Sequence, residues 1–137
     1  MGSKTVLIVE DHPDFREFLA FVLERSGYFV DKARTGLEAI DRARATSPDL
    51  ILMDFGLPDM IGDKIIMRLK ADPSTKKIPV ILITGYTDAK VTKLALGAGA
   101  AKVMIKPFGL DKLLDAIKHC LSCGPDSDPG VVESGDC

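Results

Sequence analysis

Residues 50–62 read LILMDFGLPDMIG: four apolar residues, Leu50 to Met53, run straight into a carboxylate, Asp54. Gly56, Pro58 and Gly62 then turn the chain. An apolar run without polar alternation is what a strand covered on both faces looks like. Ending it on a charge beside an open turn asks for a chemical reason.

The pattern recurs on both sides of this stretch. Val6-Leu-Ile-Val9 and Val80-Ile-Leu-Ile83 are apolar runs that read as the first and fourth strands, and Tyr28 to Ala33 and Ala101 to Ile105 read as the second and fifth. Helix-period segments lie between them. Phe15, Phe18, Leu19, Val22 and Leu23 predict one apolar face, opened by Pro13 and closed by Gly27. Thr35-Gly-Leu-Glu38 reads as a capping box that opens a helix to about Ala45. Ile61, Ile65 and Leu69 mark a third helix, broken at Asp72-Pro73-Ser74. Val91, Leu94 and Ala95 mark a fourth, and Leu110, Leu113, Leu114, Ile117 and Leu121 a fifth.

Five strand–helix units predict an α/β fold: a doubly wound parallel sheet with helices on both faces. Right-handed crossovers bring every strand's carboxyl end to one edge, where such sheets bind ligands. The expected domain is residues 4–121. Residues 122–137, rich in Gly, Pro, Ser and Asp, read as a flexible tail with little to bury.

With 137 residues and 46% hydrophobic content the chain suits one domain. A net charge of −2 without a Lys/Arg run argues against direct nucleic-acid binding. No apolar stretch approaches the roughly 20 residues of a membrane span, and no signal peptide opens the chain. Cys120, Cys123 and Cys137 are odd in number and imply no disulfide framework, so the expected compartment is the reducing cytoplasm. Cys120 and Cys123, beside His119, have the spacing of half a zinc site, but no second ligand pair accompanies them.

At the strand ends stand Glu10-Asp11, Asp54, Thr84 and Lys106-Pro107. With neighbouring strands roughly 4.8 Å apart, strands 1, 3, 4 and 5 side by side would gather these groups. Carboxylates about 5 Å apart repel by roughly 3 kcal/mol per pair at an effective dielectric of 20. One lysine does not offset that, whereas a hard divalent cation does. Oxygen ligands with open positions suit Mg²⁺ and a phosphate partner. The cluster points to metal-assisted phosphoryl chemistry with Asp54 as nucleophile. Lys106 supplies a point charge, Thr84 a hydroxyl donor, and the turn at Gly56 backbone groups that a ligand can approach closely. His12 reads as a surface residue at a helix start, and Asp59, Asp63, Lys90, Lys93 and Lys102 as solvated charges.

Glu10-Asp11, Asp54 with Pro58 and Gly62, Thr84, and Lys106-Pro107-Phe108 together resemble the receiver domain of two-component response regulators. The resemblance covers about residues 4–121. It implies a flavodoxin-like strand order 2-1-3-4-5 and Mg²⁺ held at Glu10, Asp11, Asp54 and Gly56. It further implies a cis Lys106–Pro107 bond and phosphoryl transfer to Asp54 from a sensor histidine kinase or phosphotransfer protein. The outcome would be a conformational switch acting on a downstream protein target, as a monomer or a weak phosphorylation-dependent dimer. Such a domain promotes only its own phosphotransfer and dephosphorylation and is not otherwise an enzyme. Val103 stands where most receivers carry an aromatic, and Gly85 where alanine is common. Activation is therefore expected around Thr84 and Tyr86 and not at Val103.

Three other readings share the fold. A pseudo-receiver would act as an interaction module without phosphorylation, against which the intact Glu10, Asp11, Asp54, Thr84 and Lys106 argue. A flavin or nucleotide binder would need phosphate-cradling glycines where Glu10-Asp-His-Pro13 stands. A small-substrate phosphohydrolase would need a cap or lid, which the chain lacks. No output domain follows residue 121, so the chain reads as a single-domain regulator or an excised receiver, the tail favouring the first.

Overall fold

A computed structural model describes residues 3–85 and 89–123. The elements run β1 (Thr5–Val9), α1 (Pro13–Arg25), β2 (Phe29–Ala33), α2 (Gly36–Thr46), β3 (Leu50–Asp54), α3 (Gly62–Ala71), β4 (Val80–Thr84), α4 (Ala89–Ala98), β5 (Lys102–Ile105) and α5 (Leu110–Cys123). Tyr86, Thr87 and the tail from Gly124 onward fall outside the described residues.

All five strands pair in parallel, in the order β2-β1-β3-β4-β5 that the resemblance implied. The strand order reverses at β1, so the switch-point crevice opens above the ends of β1 and β3. Alternate residues of each strand serve opposite faces, which is why the apolar runs are continuous. Leu7, Val9, Ile51, Met53 and Leu82 pack with residues of α2, α3 and α4. Val6, Ile8, Leu50, Leu52, Ile81 and Ile83 pack with residues of α1 and α5. Each fully buried Leu or Ile contributes roughly 1.5–3 kcal/mol of transfer free energy.

The caps explain the element boundaries. Pro13 opens α1, and Gly27, at φ 97°, closes it. Tyr28 N donates to Leu23 O and Gly27 N to Glu24 O, the bond pair of a Schellman ending. Thr35 Oγ1 accepts from Glu38 N, as the capping box requires. The reciprocal bond is displaced by one residue, because Glu38 accepts from Arg34 N and not from Thr35 N.

Four apolar positions depart from the expected helix faces: Ile61 (46% exposed) and Leu110 (38% exposed) at helix starts, and Phe18 and Leu94 further along theirs. Phe18 is 46% exposed and Leu94 59% exposed. The seam of α1 runs through Leu19, Ala20 and Leu23, where small Ala20 lets the helix approach the sheet, leaving Phe18 at the rim. In α4 only Ala95 is buried, so that helix contributes little side-chain bulk to the core. No helix among the described residues is long and apolar enough to cross a membrane.

Candidate functional site

Glu10 follows β1 and continues its ladder, its N–H donating to Ala33 O at 3.0 Å. That backbone bond fixes the carboxylate above the sheet edge, where it is 3% exposed. Its Oε2 accepts from His12 N at 3.2 Å. Asp11 is exposed, and β3 delivers the half-buried Asp54 alongside. One carboxylate oxygen from each of Glu10, Asp11 and Asp54 lies within 4.8 Å of the others.

Lys106 reaches back from the end of β5, and its Nζ donates to Asp54 Oδ1 at 3.1 Å. Its N–H donates to Thr84 O, which ties the ends of β4 and β5 together. Thr84 is 1% exposed and ends β4. The Lys106–Pro107 bond is cis. Gly56 sits two residues past Asp54 on the exposed rim of the turn, bridged to Ile61. A Cβ on Gly56 would meet nothing within 4 Å, so packing does not demand glycine there and the backbone stays approachable. The structure thus gathers Glu10, Asp11, Asp54 and Lys106 directly, and sets Thr84 and Gly56 at the ends of the same elements.

The charge balance at this edge is unfavourable. Burial first, and then the neighbouring Asp54 carboxylate, push the Glu10 carboxyl above its usual range. The His12 N–H and the Lys106 ammonium pull the other way without cancelling the shift, and Asp11 adds to it. Three acidic groups with oxygen-only donors and one ammonium are chemically suited to a small hard cation.

Two side chains outside the expected set support the site. The Arg16 guanidinium donates to Glu10 O at 2.9 Å, bracing the backbone of the acidic pair. The Phe15 ring lies 4.9 Å from Lys106 Nζ, a cation–π contact that helps aim the ammonium. Periodicity marked Phe15 only as core, and Arg16 carried no signal. Asp59 is exposed, as expected, but its carboxylate also accepts from Gly36 N at 2.8 Å and Leu37 N at 3.0 Å. Burial raises its carboxyl, but these N–H donors outweigh that and hold it below the usual range. Asp63 bonds only the adjacent Lys64 N, and Lys90 and Lys93 are exposed, as expected. His12 is exposed and lies outside the acidic cluster. Cys120 is half-buried, and no metal-binding group among the described residues includes it.

The chain matches the family model of the response regulator receiver domain over residues 6–118. It is 35% identical over 119 residues to the polar-differentiation response regulator DivK of Brucella ovis, covering 87% of this chain and 97% of DivK. It is 34% identical over 117 residues to hybrid signal transduction histidine kinase D of Dictyostelium discoideum, covering 85% of this chain but 8% of that protein. Its fold matches the receiver domain of a sensor histidine kinase from Pseudomonas aeruginosa, solved with a magnesium ion coordinated in its active-site cleft. That match has a TM-score of 0.81 and 26% identity, covering 88% of this chain and 99% of the other.

Proposed function

The chain belongs to the response regulator receiver domain family, and from that premise we propose that Asp54 accepts a phosphoryl group from the phosphohistidine of a histidine kinase or phosphotransfer protein, with Mg²⁺ bound at Glu10, Asp11, Asp54 and the backbone of Gly56. One observation carries the reading: three carboxylates within 4.8 Å of one another share a sheet edge with Lys106, 3.1 Å from the central one. That set is costly to a fold that uses it for nothing.

In the transfer, an Asp54 carboxylate oxygen forms a bond to phosphorus as the P–N bond to the donor imidazole breaks. The electron pair leaves with the ring nitrogen, which takes a proton from solvent. The bound cation supplies charge neutralisation for carboxylates and phosphoryl oxygens. Lys106 exchanges part of its Asp54 contact for a phosphoryl oxygen, held in aim by Phe15. The Thr84 hydroxyl donates to another oxygen. Asp54 gains a group carrying a charge of about −1.5 to −2, and Lys106 and Thr84 are the groups placed to register it. The phosphorylated state then acts on a downstream protein target, and the proposed setting is the cytoplasm.

Intact-mass measurement after incubation with Mg²⁺ and a small acyl phosphate tests the assignment. One added phosphoryl group is expected, absent in Asp54→Ala and in EDTA. An adduct that survives either condition overturns it, and a wild-type chain that takes no phosphoryl group supports the pseudo-receiver instead.

A further inference from the structure

The N-terminus of α2 is capped twice, from two sources. Thr35, its own N-cap, accepts from Glu38 N. The first two helical N–H groups, of Gly36 and Leu37, are taken instead by Asp59, more than twenty residues away in the turn that follows Asp54. Both Asp59 oxygens are engaged. The approach is close, since a Cβ on Gly36 would lie 2.7 Å from Ile65 Cδ1 and 3.3 Å from Asp59 Oδ1.

On its other flank the turn is pinned to its own unit. Gly62 N donates to Phe55 O at 2.9 Å, Gly56 bridges Ile61, and Leu57 is buried. Those contacts set the shape of the turn, while Phe55 N donates to Ile83 O of β4 at 2.8 Å and Leu57 lies in the apolar cluster that α2 shares. The Asp59 bonds join it to the unit that begins with β2, across the switch point. They anchor, by hydrogen bonds to backbone outside its own unit, the same turn that carries Gly56.

We propose that Asp59 is a positioning residue of the phosphoacceptor turn, fixing through α2 where Asp54 and Gly56 present their oxygens to the metal. This rests on the receiver reading above. The merely structural alternative is that Asp59 caps α2 and does nothing for the turn. Thr35→Ala separates the two, because it removes the other cap of the same helix without touching the turn. Asp59→Asn separates geometry from charge, because it keeps one acceptor and loses the negative charge.

The experiment is a Mg²⁺ titration of the full chain, followed by amide chemical shifts, with amide hydrogen exchange of the metal-free chain as a second readout. Supporting side chains behind metal ligands typically carry 10–100-fold in affinity. Asp59→Ala is expected to weaken Mg²⁺ binding about tenfold and to speed exchange across residues 55–62. Asp59→Asn should be intermediate, and Thr35→Ala should retain wild-type affinity while exchange rises only around residues 36–38. Wild-type affinity in Asp59→Ala, equal losses in Thr35→Ala, or an Asn variant as weak as Ala would overturn the proposal. A wild-type chain that binds no Mg²⁺ refutes the phosphoacceptor reading instead. The exchange comparison still decides whether Asp59 holds the turn.

Discussion

Glu10→Gln should stabilise the metal-free chain, although it removes a buried side chain's charge and leaves its shape. Glu10 is 3% exposed, and its carboxylate lies within 4.8 Å of oxygens on Asp54 and Asp11. At that distance and an effective dielectric of 20 each repulsion is roughly 3.5 kcal/mol. The partner Asp11 is exposed, so its share falls to about 1 kcal/mol as the dielectric approaches that of water. The lost attraction to Lys106 offsets part of this and relief of the burial penalty adds to it; a net gain of about 1–2 kcal/mol would raise Tm by roughly 3–8 °C in a chain of this size. The glutamine oxygen still accepts the His12 N–H that Glu10 Oε2 takes now.

The raised Glu10 pKa gives the same sign by linkage. Below the unfolded-state value there is no penalty, and the cost of ionised Glu10 grows as pH rises through the folded-state value. Thermal unfolding followed by circular dichroism at neutral pH, in EDTA and in Mg²⁺, provides the measurement. The wild-type chain should gain Tm on adding Mg²⁺, and the variant should start higher and gain less. A variant less stable in EDTA, or one with the full wild-type gain from Mg²⁺, would refute the reasoning.

Lys106→Ala should still take a phosphoryl group by intact mass but lose the wild-type change in amide shifts on phosphorylation. Phosphorylation itself should shift amides near Thr84 and the start of α4 more than those at Val103; the reverse ranking contradicts the proposed readout. Gly62→Ala should cost about 1–3 kcal/mol by denaturant unfolding, since its Cβ would sit 2.8 Å from Leu82 Cδ1 and 3.2 Å from Phe55 Cα. Gly56→Ala, with open space at the same point, should leave folding stability nearly unchanged. The Arg42 guanidinium beside Asp31, first by hydrogen bonding, holds that carboxyl below its usual range. The stability it confers is present above the unfolded-state pKa and lost as pH falls through the folded-state value. Asp31→Asn should therefore flatten the acid limb of Tm against pH, modestly because the Arg42 partner is exposed.

How much of this was legible in sequence follows from how far each interaction reaches. Leu50 to Met53 and Val80 to Ile83 could be read because a strand buried on both faces needs apolar residues at every position, whatever its partner. Asp54 and Lys106 could be read because a charge at the end of such a strand is locally anomalous. Phe18 and Leu94 could not. Both lie on the edge of an apolar stripe, and which edge is buried depends on how the helix sits on the sheet, here set by Ala20 and Ala95. Asp59 was illegible for a different reason: its partners, Gly36 and Leu37, belong to another strand–helix unit, and nothing within a turn's length betrays them.

Two titratable groups shifted by burial, one buried and one half-buried, show how an anomaly is to be weighed. Burial pushes the Lys70 ammonium below its usual range, as it pushes the Glu10 carboxyl above its own. Lys70 Nζ, however, donates to Lys76 O at 3.0 Å and Ile78 O at 2.8 Å, tying the segment after α3 back onto that helix. Its charge is answered by two backbone carbonyl oxygens, so it is a structural device. Glu10 accepts one backbone N–H, forms no ion pair among the described residues, and faces two groups of its own sign. The His12 N–H and the Lys106 ammonium answer it only in part. A fold whose local preferences agree elsewhere but fail at one edge marks that edge as the place where something from outside completes the structure.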